Sequence, residues 1–194
     1  ITDINGCILL DTITLTNADS ISIQSLVTDA NCYGLQDAEL TLNVINGGTA
    51  PFQYSINNGV NYQTGNTFYN LAAGTADYLV LDANGCSNTI TSTIGQPTDF
   101  TITTSQTNLI CFGDTNATAT LNVSGATPTY TYLWDDPSAQ TTNPATGLAA
   151  GIYNCIITDA NGCLTDTLIV ITEPNPVIIN IWQNGNTIEA TTGF

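Results

Sequence analysis

The sequence predicts an all-β protein built from tandem immunoglobulin-like β-sandwich repeats of about 78 residues each, which together form a rod. Three observations support this prediction. Long motifs recur at a nearly constant spacing, as they do in repeat proteins. The segments between turn residues are short, alternate apolar with polar positions and are rich in Thr, Ile, Val and Tyr, which is typical of strands. No window has helical periodicity, and about seven short strands per repeat indicate an immunoglobulin-like sandwich.

Two long motifs define the repeat. Residues 71–86 (LAAGTADYLVLDANGC) recur as LAAGIYNCIITDANGC at 148–163, an offset of 77. NCYG at 31–34 recurs as ICFG at 110–113, an offset of 79, and TDINGC at 2–7 is a further copy of the turn motif. We therefore divide the chain into residues 1–18 (last strand of a preceding repeat), 19–97 and 98–174 (two full repeats) and 175–194 (opening hairpin of a following immunoglobulin-like domain).

The strands are predicted in the same order in both full repeats. TLNVINGG and TATLNVSG come first, followed by PFQYSIN and TYTYLW, then by DYLVLD and YNCIITD, and TDTLIVIT closes the second repeat. The Asp-Ala-Asn-Gly segments supply residues that tolerate positive φ, so they are predicted hairpin turns. Alternation directs one set of side chains in each repeat to the core: Phe52, Tyr54 and Ile56 in the first, Tyr130, Tyr132 and Trp134 in the second. Residues 177–193 are predicted to form a hairpin around Asn184-Gly185.

The composition excludes several classes of function. The chain contains no Lys, Arg or His, and its formal net charge is −16. Nucleic-acid binding requires cations against phosphate, so no nucleic-acid partner is expected. Histidine-based metal sites and Ser-His-Asp or Cys-His catalysis lack an essential residue. No apolar run approaches 18 residues, so no direct membrane insertion is expected. We predict that the chain is not an enzyme.

The recurring motifs resemble the SprB repeat, which is found in large surface adhesins of gliding Bacteroidetes. The resemblance covers about residues 1–176 and includes ICFG, the LAAG-to-DANGC segment and the closing proline of each repeat. The stretch from Pro176 is similar to the start of immunoglobulin-like domains that precede the sorting domains of type nine secretion substrates. The resemblance implies an extracellular, cell-surface location and a role in gliding or surface attachment. Ile56 stands where Trp is usual, and Ala76 and Tyr78 replace the usual Tyr and Val.

We therefore expect a non-catalytic segment of a secreted adhesin or filament that acts as a stalk and as an adhesive surface. Its expected partners are neighbouring repeats of the same chain and a surface, polysaccharide or protein ligand that the sequence does not name. Two alternatives remain open. One is a spacer or carbohydrate-binding module of a secreted hydrolase, and the other is a self-assembling extracellular filament subunit.

Six cysteines in an acidic chain indicate an oxidising compartment. Cys32 and Cys86 occupy the same places in the first repeat as Cys111 and Cys163 in the second, so we expect disulfides within each repeat. Two other pairings stay open. Cys7–Cys32 and Cys86–Cys111 would staple neighbouring repeats. Alternatively, if the two turns lie at opposite ends of a sandwich, successive repeats would be bonded, as in Cys32–Cys163.

Cys155 is expected to be a buried free thiol, because the position where a partner would stand on an antibody-like neighbouring strand holds Leu121 or Val123. Asp135-Asp136 is the only adjacent acidic pair, and we interpret these aspartates as turn residues.

No cofactor is expected, although calcium is the one that the composition invites, because oxygen ligands at turns suit a hard cation. The candidate ligands are Asp3/Asn5, Asp82/Asn84, Asp159/Asn161, Asp135, Asp136 and Glu173.

Two sets of residues are candidates for contacts with sugars. A sugar-binding platform is predicted from the aromatic residues Tyr62, Phe68, Tyr69 and Trp182. Asp-[Ser/Thr]-apolar triplets resemble the Bacteroidetes O-glycosylation motif, which implies sugars on Thr12, Ser20 and Thr167.

Mutual repulsion is the expected consequence of an acidic chain without side-chain cations. Repulsion between carboxylates raises their pKa in the folded state. We therefore expect the stability to rise with salt, and to rise as the pH falls from 7 toward about 4.

Overall fold

The computed structural model describes residues 2, 4–8, 19–184 and 187–193. Within these residues the regular structure is all-β, with 14 strands, so the predicted fold class is confirmed. None of the described residues forms a helix long and apolar enough to cross a membrane. The chain divides into two compact units. The first contains Ile1–Asp29 and Gln36–Gly95, and the second contains Ala30–Leu35 and Gln96–Phe194.

The first unit is a sandwich of two three-stranded antiparallel sheets. Its strands are β1 (Ser22–Thr28), β2 (Ala38–Asn46), β3 (Gln53–Ser55), β4 (Thr67–Leu71), β5 (Gly74–Leu81) and β6 (Ser87–Ile94). One sheet has the order β1-β2-β4 and the other β3-β5-β6. These sheets correspond to strands A-B-E and C-F-G of an immunoglobulin-like sandwich.

The second unit repeats this topology. Its strands are β7 (Thr101–Thr107), β8 (Ala117–Ser124), β9 (Thr131–Trp134), β10 (Ala145–Leu148), β11 (Gly151–Thr158) and β12 (Leu164–Ile171). The sheets have the orders β7-β8-β10 and β9-β11-β12. Two further strands, β13 (Ile178–Asn184) and β14 (Thr187–Gly193), pair antiparallel with each other over their full length.

Each sandwich has six strands, whereas the sequence predicted about seven. The missing strand would lie between β3 and β4, where side chains take the backbone N–H groups that a ladder would use. Ser55 Oγ accepts a hydrogen bond from the N–H of Gly59 at 2.9 Å, and Asn57 Oδ1 accepts one from the N–H of Asn61 at 2.9 Å. In the second unit the Asp136 carboxylate accepts from two backbone N–H groups of the corresponding loop.

Both cores are built from the inward-facing residues of their two sheets. In the first unit Leu40 and Leu42 of β2 and Val80 of β5 are fully buried. Tyr54 is buried with them, and Phe52 and Ile56 pack against the cluster. These three are the side chains that alternation directed to this core.

The second core contains two features that the first lacks. Trp134 is 1 % exposed, its Nε1–H donates to the Thr142 carbonyl at 3.0 Å, and Tyr130 and Tyr132 pack against the cluster. The Tyr153 hydroxyl donates to the carbonyl of Ala149 at 3.1 Å, which is the tyrosine corner of immunoglobulin-like sandwiches.

Candidate functional site: the Asp-Ala-Asn-Gly-Cys turns and their cysteines

The turn between β11 and β12 is held together by one buried carboxylate. Asp159 is 6 % exposed, and its Oδ1 accepts hydrogen bonds from the N–H groups of Asn161 at 2.9 Å and Cys163 at 2.8 Å. Its Oδ2 accepts from the N–H of Thr127 at 2.9 Å. Gly162 has a φ of +84°, a conformation that glycine adopts without steric cost. The motif therefore fixes the position of the cysteine that ends it.

The turn between β5 and β6 has the same hydrogen bonds. Asp82 Oδ1 accepts from the N–H groups of Asn84 at 2.9 Å and Cys86 at 2.8 Å, and Oδ2 accepts from the N–H of Thr49 at 2.9 Å. Gly85 has a φ of +85°. The two turns thus present Cys86 and Cys163 in the same local geometry.

These contacts reverse the expected direction of the carboxylate pKa shifts. Burial raises the pKa of Asp82 and Asp159, but the backbone N–H donors together outweigh it and hold each pKa below the ordinary value. Asp136 follows the same rule, with burial opposed by donors from Gln140 and Ser138. The expectation of raised pKa values is therefore wrong for these three aspartates, because local donors act more strongly on them than distant carboxylates do.

The structure contains a disulfide between Cys32 and Cys163, whose Cα atoms are 5.7 Å apart. Cys32 lies in the connection between β1 and β2, and this segment, Ala30–Leu35, belongs to the second unit. The Nδ2 of Asn161 donates to the carbonyl of Asn31 at 2.9 Å beside the bond. The Cys32–Cys86 and Cys111–Cys163 pairings that we favoured from the sequence are therefore wrong, and so is Cys7–Cys32.

The relative direction of β1 and β6 explains why Cys32 and Cys86 do not pair. Asn88 at the start of β6 donates to the carbonyl of Ile21 before β1, and the N–H of Gly95 after β6 donates to Asp29 after β1. The two strands therefore run side by side in one direction, so Cys86 precedes β6 at one end and the connection carrying Cys32 leaves β1 at the other. An eight-residue strand is about 26 Å long, whereas a disulfide requires Cα atoms within about 7 Å.

The second unit has the same arrangement for Cys111. The N–H of Leu109 after β7 donates to the carbonyl of Thr172 after β12 at 3.0 Å. Cys111 thus lies at the end of the sandwich opposite to Cys163, which precedes β12. Cys86 and Cys111 are both exposed, and neither forms a disulfide within the described residues.

One polar contact holds the loop of residues 31–34 and its counterpart at 110–113 in position. The sequence analysis did not predict this contact. The N–H of Gly34 donates to Gln96 Oε1 at 2.8 Å, and the N–H of Gly113 donates to Glu173 Oε2 at 2.7 Å. Gln96 and Glu173 each precede the proline that ends a repeat. The recurrence of a long polar side chain at this position was the signal that could have identified the contact.

Apolar cavities lie beside Cys32 and Cys111. Within the second unit, one cavity is lined by Cys32, Tyr33, Phe100, Cys163 and Leu164 among others. A second is lined by Ile110, Cys111, Phe112, Pro174, Asn175, Pro176 and Val177. Ile110 and Phe112 are 86 % and 56 % exposed, so an apolar surface surrounds the exposed thiol.

Cys155 has no disulfide and is fully buried. It lies on β11 opposite Trp134 of β9. Burial raises the pKa of its thiol to about 11, with a further increase from the nearby charge of Asp135. A thiol with so high a pKa is not a nucleophile at neutral pH.

The remaining predicted residues do not assemble into one site. Ser20 is exposed and Thr167 is half-buried on β12, while Thr12 and Asp3 lie outside the described residues. Tyr62, Tyr69 and Trp182 are exposed, whereas Phe68 is buried in the first core. No group of three or more His, Cys, Asp or Glu side chains that could hold a metal ion occurs in the described part of the chain.

The candidate calcium ligands already hold backbone groups. Asp82, Asp136 and Asp159 accept the turn N–H groups described above, Asp135 accepts from the N–H of Asn154 at 2.8 Å, and Glu173 accepts from Gly113. Their carboxylates therefore have structural partners in the loops where they lie.

Two segments of the chain, residues 25–61 and 103–139, match the family model of the SprB repeat. Each segment begins in the first strand of a sandwich, β1 in the first unit and β7 in the second, so the match occurs at the same place in both units. No curated protein matches the chain.

Several solved structures are similar in part. A C-terminal fragment of intimin in complex with the intimin-binding domain of its translocated receptor is 12 % identical, with a TM-score of 0.41, and the match covers 85 % of this chain and 67 % of that one. The ectodomain of mouse nectin-like molecule 4 is 13 % identical, with a TM-score of 0.34 and coverages of 83 % and 67 %. The four N-terminal domains of Dscam1 are 10 % identical, with a TM-score of 0.30 and coverages of 80 % and 42 %.

Proposed function

We propose that the chain is a non-catalytic stalk segment of an extracellular surface adhesin, which carries mechanical load between a cell and the surface to which the adhesin attaches. The gliding and type nine secretion context of SprB-bearing Bacteroidetes proteins is part of this proposal. The observation that carries the proposal is the disulfide between Cys32 and Cys163, because the 131-residue loop that it closes contains most of both segments that match the SprB repeat.

Load reaches a protein domain through its backbone, and a cross-link limits how much backbone can extend. The Cys32–Cys163 bond spans 131 residues, which include most of both repeats. An oxidised chain under tension therefore keeps this length closed even when the sandwiches unfold. Such protection is useful to a stalk. It is of no direct use in binding a small substrate.

Composition supports the same role. The absence of Lys and Arg leaves trypsin-like proteases without a cleavage site, and a net charge of −16 keeps parallel stalks apart. An oxidising extracellular location agrees with the disulfide.

Single-molecule force spectroscopy on the full chain tests the proposal. Reduction should add up to 131 residues of extensible chain, which is about 450 Å at the extended length of about 3.4 Å per residue. The Cys32→Ser/Cys163→Ser variant should extend like the reduced chain even in oxidising buffer. A Cys86→Ser/Cys111→Ser variant is the matched control and should extend like the oxidised chain. If oxidised and reduced chains extend equally, the load-bearing role is wrong.

A carbohydrate-binding module is a second candidate function, and one observation favours it. In the first unit a cavity is lined by three aromatic residues, Tyr54, Tyr62 and Phe68, together with Ile56 and the amide-bearing residues Asn57, Asn61 and Gln63, a combination of residue types that suits a sugar ring. Electrophoresis of wild type and Tyr62→Ala through a gel that contains polysaccharide tests this function. Equal mobilities of the two chains in that gel would argue against sugar binding by this cavity. A retardation that wild type shows and Tyr62→Ala loses would support sugar binding by this cavity.

A further inference from the structure

We propose that Cys111 of one chain and Cys86 of a second copy form a disulfide between SprB-type repeats, with the same local geometry as Cys32–Cys163. The occupant of the apolar surface at Cys111 is then the Asp-Ala-Asn-Gly-Cys turn of another repeat, and a second copy of this chain supplies that turn through Cys86. The inference rests on the repeat architecture and extends the proposed stalk role from one cross-link to a series.

The turn that carries Cys86 is already in the geometry of the bonded turn. The three hydrogen bonds to Asp82 have the same lengths as the three to Asp159, namely 2.9, 2.8 and 2.9 Å. The difference lies in exposure: Cys163 is 8 % exposed, whereas Cys86 is exposed. No rearrangement of the turn is therefore needed for Cys86 to form the same bond.

The asparagine of each turn supports this equivalence. Asn161 Nδ2 donates to Thr127 Oγ1 at 3.1 Å and also to the carbonyl of Asn31, next to the bonded Cys32. Asn84 Nδ2 makes the corresponding bond to Thr49 Oγ1 at 2.9 Å. An amide nitrogen carries two hydrogens, so Asn84 can also donate to a carbonyl placed like that of Asn31.

The loop that carries Cys111 has the geometry of the loop that carries Cys32. The bond from Gly113 to Glu173 repeats the bond from Gly34 to Gln96, and both glycines have positive φ, 80° and 71°. In this alignment Ile110 takes the place of Asn31, so its carbonyl is the acceptor that Asn84 of another repeat would use. Cys111 is exposed between Ile110 and Phe112, and docking of a turn would cover these apolar side chains.

The chemical step is an ordinary thiol–disulfide exchange. The Cys86 and Cys111 thiols lose two protons and two electrons as the Sγ–Sγ bond forms. Glutathione disulfide accepts the two electrons and two protons and leaves as two molecules of glutathione.

The test uses full-length chains in a Cys7→Ser background, which leaves Cys86 as the one exposed turn cysteine. The Cys86→Ser variant retains Cys111, and the Cys111→Ser variant retains Cys86. Each variant alone should stay monomeric in a glutathione redox buffer, whereas the equimolar mixture should form a disulfide-linked dimer on a non-reducing gel. Peptide mapping of that dimer should identify Cys86 joined to Cys111, with Cys32–Cys163 intact in both chains.

Two outcomes would overturn the proposal. Symmetric dimers of either variant alone would show that the exposed thiols react without selection, and the absence of a linked dimer in the mixture would show that the two sites are not complementary. A further variant, Asn84→Ala, tests the docking geometry, because its loss of the amide should slow cross-linking without changing the accessibility of Cys86 to a small alkylating reagent. Failure here would leave the force-extension result on Cys32–Cys163 unaffected, so the two proposals fail separately.

Discussion

Replacing Cys32 and Cys163 together by serine removes a cross-link that spans 131 residues. In the chain-entropy model, a closed loop of that length lowers the entropy of the unfolded chain enough to stabilise the folded protein by about 5 kcal/mol at 25 °C. Native disulfides generally contribute about 2–5 kcal/mol, so we expect the free energy of unfolding of the variant to be lower than that of wild type by an amount within this range. With a urea m value of about 2 kcal/mol/M, the midpoint of unfolding should fall by about 1–2.5 M.

The fluorescence of Trp134 provides the assay, because this side chain is 1 % exposed in the second core and becomes solvated when that unit unfolds. Trp182 is 43 % exposed and should contribute a smaller change. The Cys86→Ser/Cys111→Ser variant is the control, since both cysteines are exposed and their replacement should change the unfolding free energy by less than about 0.5 kcal/mol. Superimposable unfolding curves for oxidised wild type and the Cys32→Ser/Cys163→Ser variant would refute the reasoning.

Three other predictions concern single side chains. Tyr153→Phe removes the hydroxyl bond to the Ala149 carbonyl and should lower the free energy of unfolding by about 1 kcal/mol in urea titration; an unchanged midpoint would contradict the tyrosine corner. Asp159 has a folded-state pKa below its ordinary value, so its contribution to stability is full above about pH 5 and is lost as the pH falls below about 4 through the folded-state pKa. Thermal melts should therefore give Asp159→Asn a lower melting temperature than wild type at pH 7, and the gap between the two melting temperatures should narrow toward pH 3. A gap that widens on acidification would contradict this prediction. Cys155 should resist iodoacetamide at pH 8 while Cys86 is alkylated, as judged by mass spectrometry, because burial raises the Cys155 pKa to about 11; equal labelling of the two would show that the core admits the reagent.

Local patterns predicted the strands and turns. Strands such as LNV and YLVL are indicated by two-residue alternation, and the hairpin turns are indicated by their Asp, Asn and Gly residues. Both signals involve only a few consecutive residues, so the sequence shows them directly. The same alternation identified Trp134 and Tyr54 as core side chains, which are 1 % and 9 % exposed. The number of strands per sandwich was less accessible, because the side chains of Ser55 and Asn57 capture backbone N–H groups through bonds that no periodicity reveals.

What the sequence alone determined was the all-β class, the repeat and the turn that ends in cysteine, since each depends on residues close together in the chain. Only the tertiary structure decided which cysteines meet: Cys32 and Cys163 are 131 residues apart in sequence and 5.7 Å apart in space. It also decided the direction of the Asp159 pKa shift, because one of the donors that lower it comes from Thr127, 32 residues away along the chain. Pairing and pKa depend on through-space distances. Those distances are set by how strands run beside one another, which composition and spacing do not specify.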